Sequence, residues 1–269
     1  MKKIAFIGIG LMGLPMAKNL LKAGYFVKVF NRSLEKAELL SQYNAEVAKS
    51  IKEVVVGADV IITMLADDEA VNVVMKNDDF LNNLKSGSTV IDMSSVKPET
   101  AKFHASKLNL KNVNYLDAPV SGGTIGAEEA SLAIMVGGEQ KVFEDHLDIL
   151  KNIGNPSLVG PVASGQISKL ANQIIVGLTI GAVAEAITLC EKSGTNNCNG
   201  STYNGNCYKY ESHSGDWFDA RLACEAWGGS LVSIEESAEH DFVKSLMNPG
   251  HYRAWIGLTN FDGAEVCVE

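Results

Sequence analysis

A short apolar run from Lys3 to Ile9 enters Gly8-Ile9-Gly10-Leu11-Met12-Gly13, and Leu14 to Ala23 follows with helical spacing up to Gly24. A strand, a glycine turn and a helix in that order leave a chain few folds to choose from. Gly8 permits the tight bend, and Gly10 lets backbone approach a pyrophosphate. Gly13 packs helix on strand, and the helix start offers N–H groups to an anion. Leu11 and Met12 lie inside the turn and count with the three glycines as cofactor-binding residues.

Phe26 to Phe30 reads as a second short strand, and strands alternate with helices through Asp59 to Leu65 and Ser88 to Met93. This βαβ succession predicts a parallel, doubly wound α/β sheet of Rossmann type. At the end of the second strand an acid normally binds the ribose 2′-hydroxyl of NAD, but Asn31-Arg32-Ser33 stands there. An arginine and a serine suit a 2′-phosphate, so NADP is the expected cofactor and NAD the weaker alternative. The competing account is an arginine at a solvated helix start.

Four separated motifs then carry a family resemblance. They are the opening turn with Leu14-Pro15-Met16-Ala17-Lys18-Asn19-Leu20, Asp92-Met93-Ser94-Ser95 with Pro98, Asp117-Ala118-Pro119-Val120-Ser121-Gly122-Gly123, and Gly165-Gln166-Ile167-Ser168-Lys169-Leu170-Ala171-Asn172. In this order they resemble the β-hydroxyacid dehydrogenases, relatives of 3-hydroxyisobutyrate dehydrogenase and of the tartronate, glyoxylate and succinic semialdehyde reductases. The resemblance implies hydride transfer between a nicotinamide and a small carboxylate substrate, with Lys169 as general acid/base. Such a step needs a proton donor or acceptor at the reacting oxygen. Asn172, one helical turn on, would help hold substrate. Ser121, Gly122 and Gly123 offer a hydroxyl and bare N–H groups to a carboxylate or oxyanion at the carboxyl edge of the sheet. Met64, Leu65 and Ser95 are expected along the nicotinamide side. The bland readings are an exposed helix lysine and a plain loop.

Residues 163–194 read as one long helix with Gly194 as its stop. The expected organisation is a nucleotide domain over 1–162, this helix over 163–194, and a separate segment over 195–269. In the family the helix opens an all-helical domain that closes the cleft and forms most of the dimer interface. No counterpart follows here, so that interface is expected to be largely absent and turnover impaired.

Composition changes abruptly near residue 195. All three tryptophans (Trp217, Trp227, Trp255) and four of the five cysteines lie beyond it, whereas seven of the eight methionines precede it. Residues 1–194 hold 19 basic and 21 acidic side chains, and the remainder 4 and 11. A Met-rich, Cys-poor first part suits the cytoplasm, and a Cys- and Trp-rich second part suits a secreted setting. From Cys198 the chain resembles a C-type lectin-like domain, through Asn206-Cys207-Tyr208-Lys209-Tyr210, Trp217 to Cys224, Gly228 to Ile234, the helical pattern Glu239 to Leu246, and Trp255-Ile256-Gly257-Leu258. The resemblance implies a Cys198–Cys207 bridge. Glu-Pro-Asn, Gln-Pro-Asp and Trp-Asn-Asp calcium motifs are missing, so neither calcium nor sugar binding is expected. Cys224 and Cys267 lack their usual partners, and Cys190 is left over. Two families from different compartments in one chain read as a chimera.

The net charge of −9, with no basic run, is the wrong footprint for nucleic acid. Apolar stretches are broken by Gly, Asp or Lys before 18 residues, so no membrane span is expected, and no signal peptide or metal-ligand cluster is read. Two functions compete: an oxidoreductase carried by the first part, and a binding module carried by the second. The first is preferred because its site motifs are intact.

Overall fold

The computed structural model describes residues 2–193 throughout. Beyond them it describes 201–203, 206–211, 230–231, 254–255 and 264–268, with Asp241 and Ser245 in helix. Contacts divide the chain into two compact units, 1–178 and 179–269.

The first unit runs β1 (Lys3–Ile7), α1 (Gly13–Lys22), β2 (Phe26–Phe30), α2 (Leu34–Glu38), β3 (Glu46–Val47), α3 (Ile51–Val55), β4 (Val60–Thr63), α4 (Asp68–Met75), α5 (Asp78–Leu81) and β5 (Thr89–Asp92). It continues with α6 (Pro98–Asn109), β6 (Asn114–Asp117), β7 (Val120–Ser121), α7 (Gly123–Glu128), β8 (Leu132–Gly137), α8 (Gln140–Glu144), α9 (Leu147–Lys151) and β9 (Gly154–Gly160). Helix α10 (Ser164–Lys192) begins in this unit.

Six strands lie in the order β3-β2-β1-β4-β5-β6, all parallel, with the reversal of winding between β1 and β4. β4 and β5 are buried at every position, as strands covered on both faces must be. Successive side chains enter opposite cores. Ile4 and Phe6 join Met16, Ala17 and Leu20 of α1, while Ala5 and Ile7 join Val54 of α3, Val71 of α4 and Phe80 of α5. The doubly wound expectation holds for these strands. The far edge is mixed: β8 runs antiparallel to β6 and β7, and β9 runs parallel to β8. That edge was not legible as strands at the level of motifs.

Helix α10 agrees with the expected 163–194 to within two residues, and Gly194 lies outside the described residues. This helix bears on the expectation of no membrane span. Ser164–Cys190 has mean hydropathy 1.8 over its most apolar stretch and is long and apolar enough, by length and composition alone, to cross a membrane. Gly177 and Gly181 interrupt the apolar letters but not the helix, since a single helical glycine costs only about 1 kcal/mol.

In the second unit β10 (Ser201–Tyr203) and β11 (Asn206–Glu211) form an antiparallel pair, and β14 (Ala264–Val268) joins β11. β12 (Ser230–Leu231) pairs β14 antiparallel, and β13 (Ala254–Trp255) pairs it parallel. The motif at Asn206 to Tyr210 thus falls on a strand, as does Trp255, while Ile256, Gly257 and Leu258 lie outside the described residues. The motif at Trp217 to Cys224, and Cys198 of the expected bridge, lie outside the described residues.

The β1–β4 junction depends on Gly8. Its φ is +103°, and a Cβ there would sit 2.2 Å from the carbonyl oxygen of Met64. Gly8→Ala is expected to cost about 2–4 kcal/mol through backbone strain and overlap, lowering the melting temperature by roughly 5–10 °C in thermal denaturation followed by circular dichroism.

Candidate functional site

Strand register brings the site together. Ile7 pairs with Phe30 and with Thr63, Thr63 with Asp92, and Asp92 with Asp117, so five parallel strands end at one level. Loops leaving that level carry most of the residues singled out in the sequence, in the crevice where sheets of this kind bind ligands.

The glycine turn is held by its neighbours. Gly8 N–H donates to the Phe30 carbonyl (3.0 Å), and Ile9 N–H donates to Asn31 Oδ1 (3.0 Å). Asn31 Nδ2 donates in turn to the Ser33 carbonyl (2.9 Å), so this side chain ties the turn to the end of β2. Gly13 packs closely enough that a Cβ would lie 1.9 Å from the Gly8 carbonyl oxygen. Gly10, by contrast, has no atom within 4 Å of its missing Cβ, and Leu11 is 84% exposed. The backbone there is bare toward the crevice. Helix α1 starts at Gly13 with no acidic residue in its first turn and no side-chain cap at Met12, leaving its positive end uncompensated. A groove of about 770 Å³ runs from Gly10 and Leu11 past Leu14, Lys18 and Lys22 to Lys36. These features fit the phosphates of a dinucleotide. Arg32 and Ser33 are exposed where α2 begins, and the Ser33 hydroxyl caps nothing.

Next along the edge, Met64 N–H donates to the Ile7 carbonyl (2.9 Å), and Leu65 N–H donates to Ser94 Oγ (3.0 Å). Ser94 is buried and Ser95 exposed, so the first organises the loop and the second faces solvent. Beneath them Asp92 accepts from Thr63 Oγ1 (2.8 Å), Ser94 N–H (3.1 Å) and Tyr115 OH (3.3 Å). Burial pushes its carboxyl up, against the pull of those donors.

Asn172 Nδ2 donates to Ser121 Oγ at 3.2 Å, joining β7 to α10 across 51 residues of sequence. Gly122 (φ +137°) and Gly123 (φ +64°) form the turn into α7 beside them. Lys169, one turn before Asn172, is half-buried, and that burial lowers its pKa from the ordinary lysine value. The structure therefore brings Ser121 and Asn172 into contact and places Lys169 on the same helix one turn away.

Two residues inside the quoted motifs had received no role. Asp117 accepts hydrogen bonds from Ala163 N–H (2.7 Å) and Gln166 N–H (2.9 Å) at the start of α10. Burial pushes its carboxyl up to about 6. The Gln166 side chain donates to the Ser94 carbonyl (2.9 Å) and accepts from Val96 N–H (3.0 Å). Their spacing gave no signal, because each partner lies 46 to 72 residues away.

Residues 3–170 match the model of the NAD binding domain of 6-phosphogluconate dehydrogenase, and residues 213–265 match that of the lectin C-type domain. The 2-hydroxy-3-oxopropionate reductase of Escherichia coli is 42% identical over 194 residues, covering 71% of this chain and 66% of that protein. An NAD-dependent L-serine dehydrogenase of Pseudomonas aeruginosa is 39% identical over 197 residues, covering 72% and 66%. The 3-hydroxyisobutyrate dehydrogenase of Mycobacterium tuberculosis, solved with L-serine, superposes with a TM-score of 0.70 at 34% identity, covering 73% of this chain and 67% of that one. The chain spans about two thirds of the length of these relatives. Through residues 3–170 it belongs to the 6-phosphogluconate dehydrogenase NAD-binding family of NAD(P)-dependent oxidoreductases, alongside 3-hydroxyisobutyrate dehydrogenase.

Proposed function

We propose that the chain is an NADP-dependent oxidoreductase of small β-hydroxy acids or the matching semialdehydes. The observation that carries this reading is the Asn172–Ser121 hydrogen bond, which joins two motif segments one helical turn from Lys169. When bound, the nicotinamide supplies or accepts the hydride. Gly8, Gly10, Leu11, Met12 and Gly13 hold the pyrophosphate on backbone and on the uncompensated start of α1. Met64, Leu65 and Ser95 line the nicotinamide side. Ser121, Gly122, Gly123 and Asn172 orient a substrate carboxylate. Lys169 as ammonium gives its proton to the carbonyl oxygen in reduction and takes it back in oxidation. Its lowered pKa brings it nearer neutrality, where an acid/base is most effective.

The choice of NADP over NAD rests on Arg32 and Ser33 at the end of β2, where a guanidinium and an unused hydroxyl suit a 2′-phosphate. Calcium-dependent sugar retention is not part of this proposal, because the lectin-like segment lacks the oxygen-ligand motifs.

NADPH is expected to bind about 10-fold or more tightly than NADH in fluorescence titration, and Arg32→Glu to erase that preference without a change in melting temperature. Equal affinities in the parent chain would remove Arg32 and Ser33 from 2′-phosphate recognition. Gly10→Ala has room within the protein, so it should leave stability unchanged and weaken both nucleotides about 10-fold, the opposite balance to Gly8→Ala. Assayed on succinic semialdehyde, glyoxylate and 3-hydroxyisobutyrate, Lys169→Ala should lose roughly 100-fold or more of whatever turnover the parent chain shows. Turnover that survives this substitution would overturn the acid/base assignment.

A further inference from the structure

We propose that Asp117 and Gln166 are positioning residues that clamp the first turn of α10 to the ends of β5 and β6 and so fix where Lys169 stands. The inference rests on Lys169 being the acid/base.

A helix start leaves N–H groups without intrahelical partners, and a local Ser, Thr, Asp or Asn normally accepts from them. Here the acceptor comes from another strand. The last residue of β6, Asp117, takes Ala163 N–H on Oδ1 (2.7 Å) and Gln166 N–H on Oδ2 (2.9 Å), negative charge at the positive end of the helix. The chain enters α10 through Ala163 at φ +78°, a conformation that residues other than glycine avoid. Such an entry persists where its surroundings over-determine it, and the Asp117 bond to that same N–H does so. The surroundings are shaped for the carboxylate. A Cβ on Gly137 would lie 2.5 Å from Asp117 Oδ1, and one on Gly165 would lie 2.8 Å from Oδ2 and 2.7 Å from the Asp117 carbonyl oxygen.

Gln166 makes the second half of the clamp. Only 1% exposed, it spends its amide on the Ser94 carbonyl and its oxygen on Val96 N–H, spanning the loop that carries Ser95. Lys169 follows three residues later, on the same side of the helix. The end of β6 and the loop after β5 therefore set the depth and rotation of the helix one turn before the lysine. Stability alone would not require this arrangement, since a local cap would satisfy the N–H groups at less desolvation cost than a buried carboxylate.

The test reads Lys169 directly. In the full-length chain, the pH dependence of acetic anhydride acylation at Lys169, resolved by mass spectrometry, gives its titration midpoint without any need for turnover. With Gln166→Ala, which keeps the backbone bond to Asp117, the midpoint is expected to rise by about 0.5 or more toward that of an ordinary lysine. Asp117→Asn should do the same wherever its melting curve remains cooperative; if it does not fold, Gln166→Ala decides. An unchanged midpoint in a folded Gln166→Ala, or failure of both variants to fold, would overturn the clamp and leave these residues merely structural. Failure of the catalytic reading looks different, because it appears as Lys169→Ala turnover equal to the parent while the titration shift persists.

Discussion

Phe30, Ile7, Thr63, Asp92 and Asp117 stand in one row across β2, β1, β4, β5 and β6, and this common register decides where every later group can stand. A one-residue slip of any strand would send its core side chains to the opposite layer, so the two apolar cores enforce the register. Once the strands end together, the glycine turn, the Met64 and Leu65 backbone, the Ser94 loop and the start of α10 all leave the sheet from one edge. The crevice is a consequence of that levelling.

The polar layer beneath the crevice is held at a cost. Asp92 and Asp117 are neighbours on adjacent strands, both buried, and the charge of Asp92 adds to the burial that pushes Asp117 up. Asp117 titrates at about 6 in the folded chain against 3.8 for an ordinary aspartate. Between those values the folded state holds more protons than the unfolded one, so this group's contribution to stability falls as pH rises from about 4 to about 6. At neutral pH the ionised carboxylate therefore opposes folding in the ledger while giving α10 its strongest acceptor. A group that lowers stability where it is charged, and yet sits at the root of the helix carrying Lys169, is what a site that needs fixed geometry would retain.

Much of this was legible in the sequence, and the pattern of success has a physical basis. Gly8 and Gly13 could be read because a Cβ at either would meet backbone, a local steric fact that spacing alone exposes. Strands β1, β4 and β5 could be read because they are buried nearly throughout and their apolar letters run together, and β2 because buried Val27 and Val29 alternate with the more exposed Phe26, Lys28 and Phe30. Lys169 and Asn172 were found by family motif, and their link to Ser121 appeared only in three dimensions. Asn31 was grouped with the cofactor contacts, but its side chain is spent on Ile9 and Ser33. Asp117 and Gln166 escaped a role because hydrogen bonds across 46 to 72 residues leave no periodicity behind. The two-residue strand β7 escaped for the same reason, since it exists only through its partner β8.

An acidic chain that holds an anionic dinucleotide raises a question of magnitude. The net charge is −9, but residues 1–194 carry 19 basic against 21 acidic side chains, so −7 of it belongs to the remaining segment. At physiological ionic strength charge is screened over about 8 Å, so the net charge says less about the turn than the groups beside it do. What the phosphates would meet is local: the start of α1 without a carboxylate, the exposed Arg32, and a groove flanked by Lys18, Lys22 and Lys36 with Glu128 among its lining residues. Opposite charges a few ångströms apart near a surface interact by roughly 1–4 kcal/mol, several times the effect of a screened net charge. Local arrangement outweighs total charge, and the same chain can be strongly acidic overall while presenting a basic rim at the crevice.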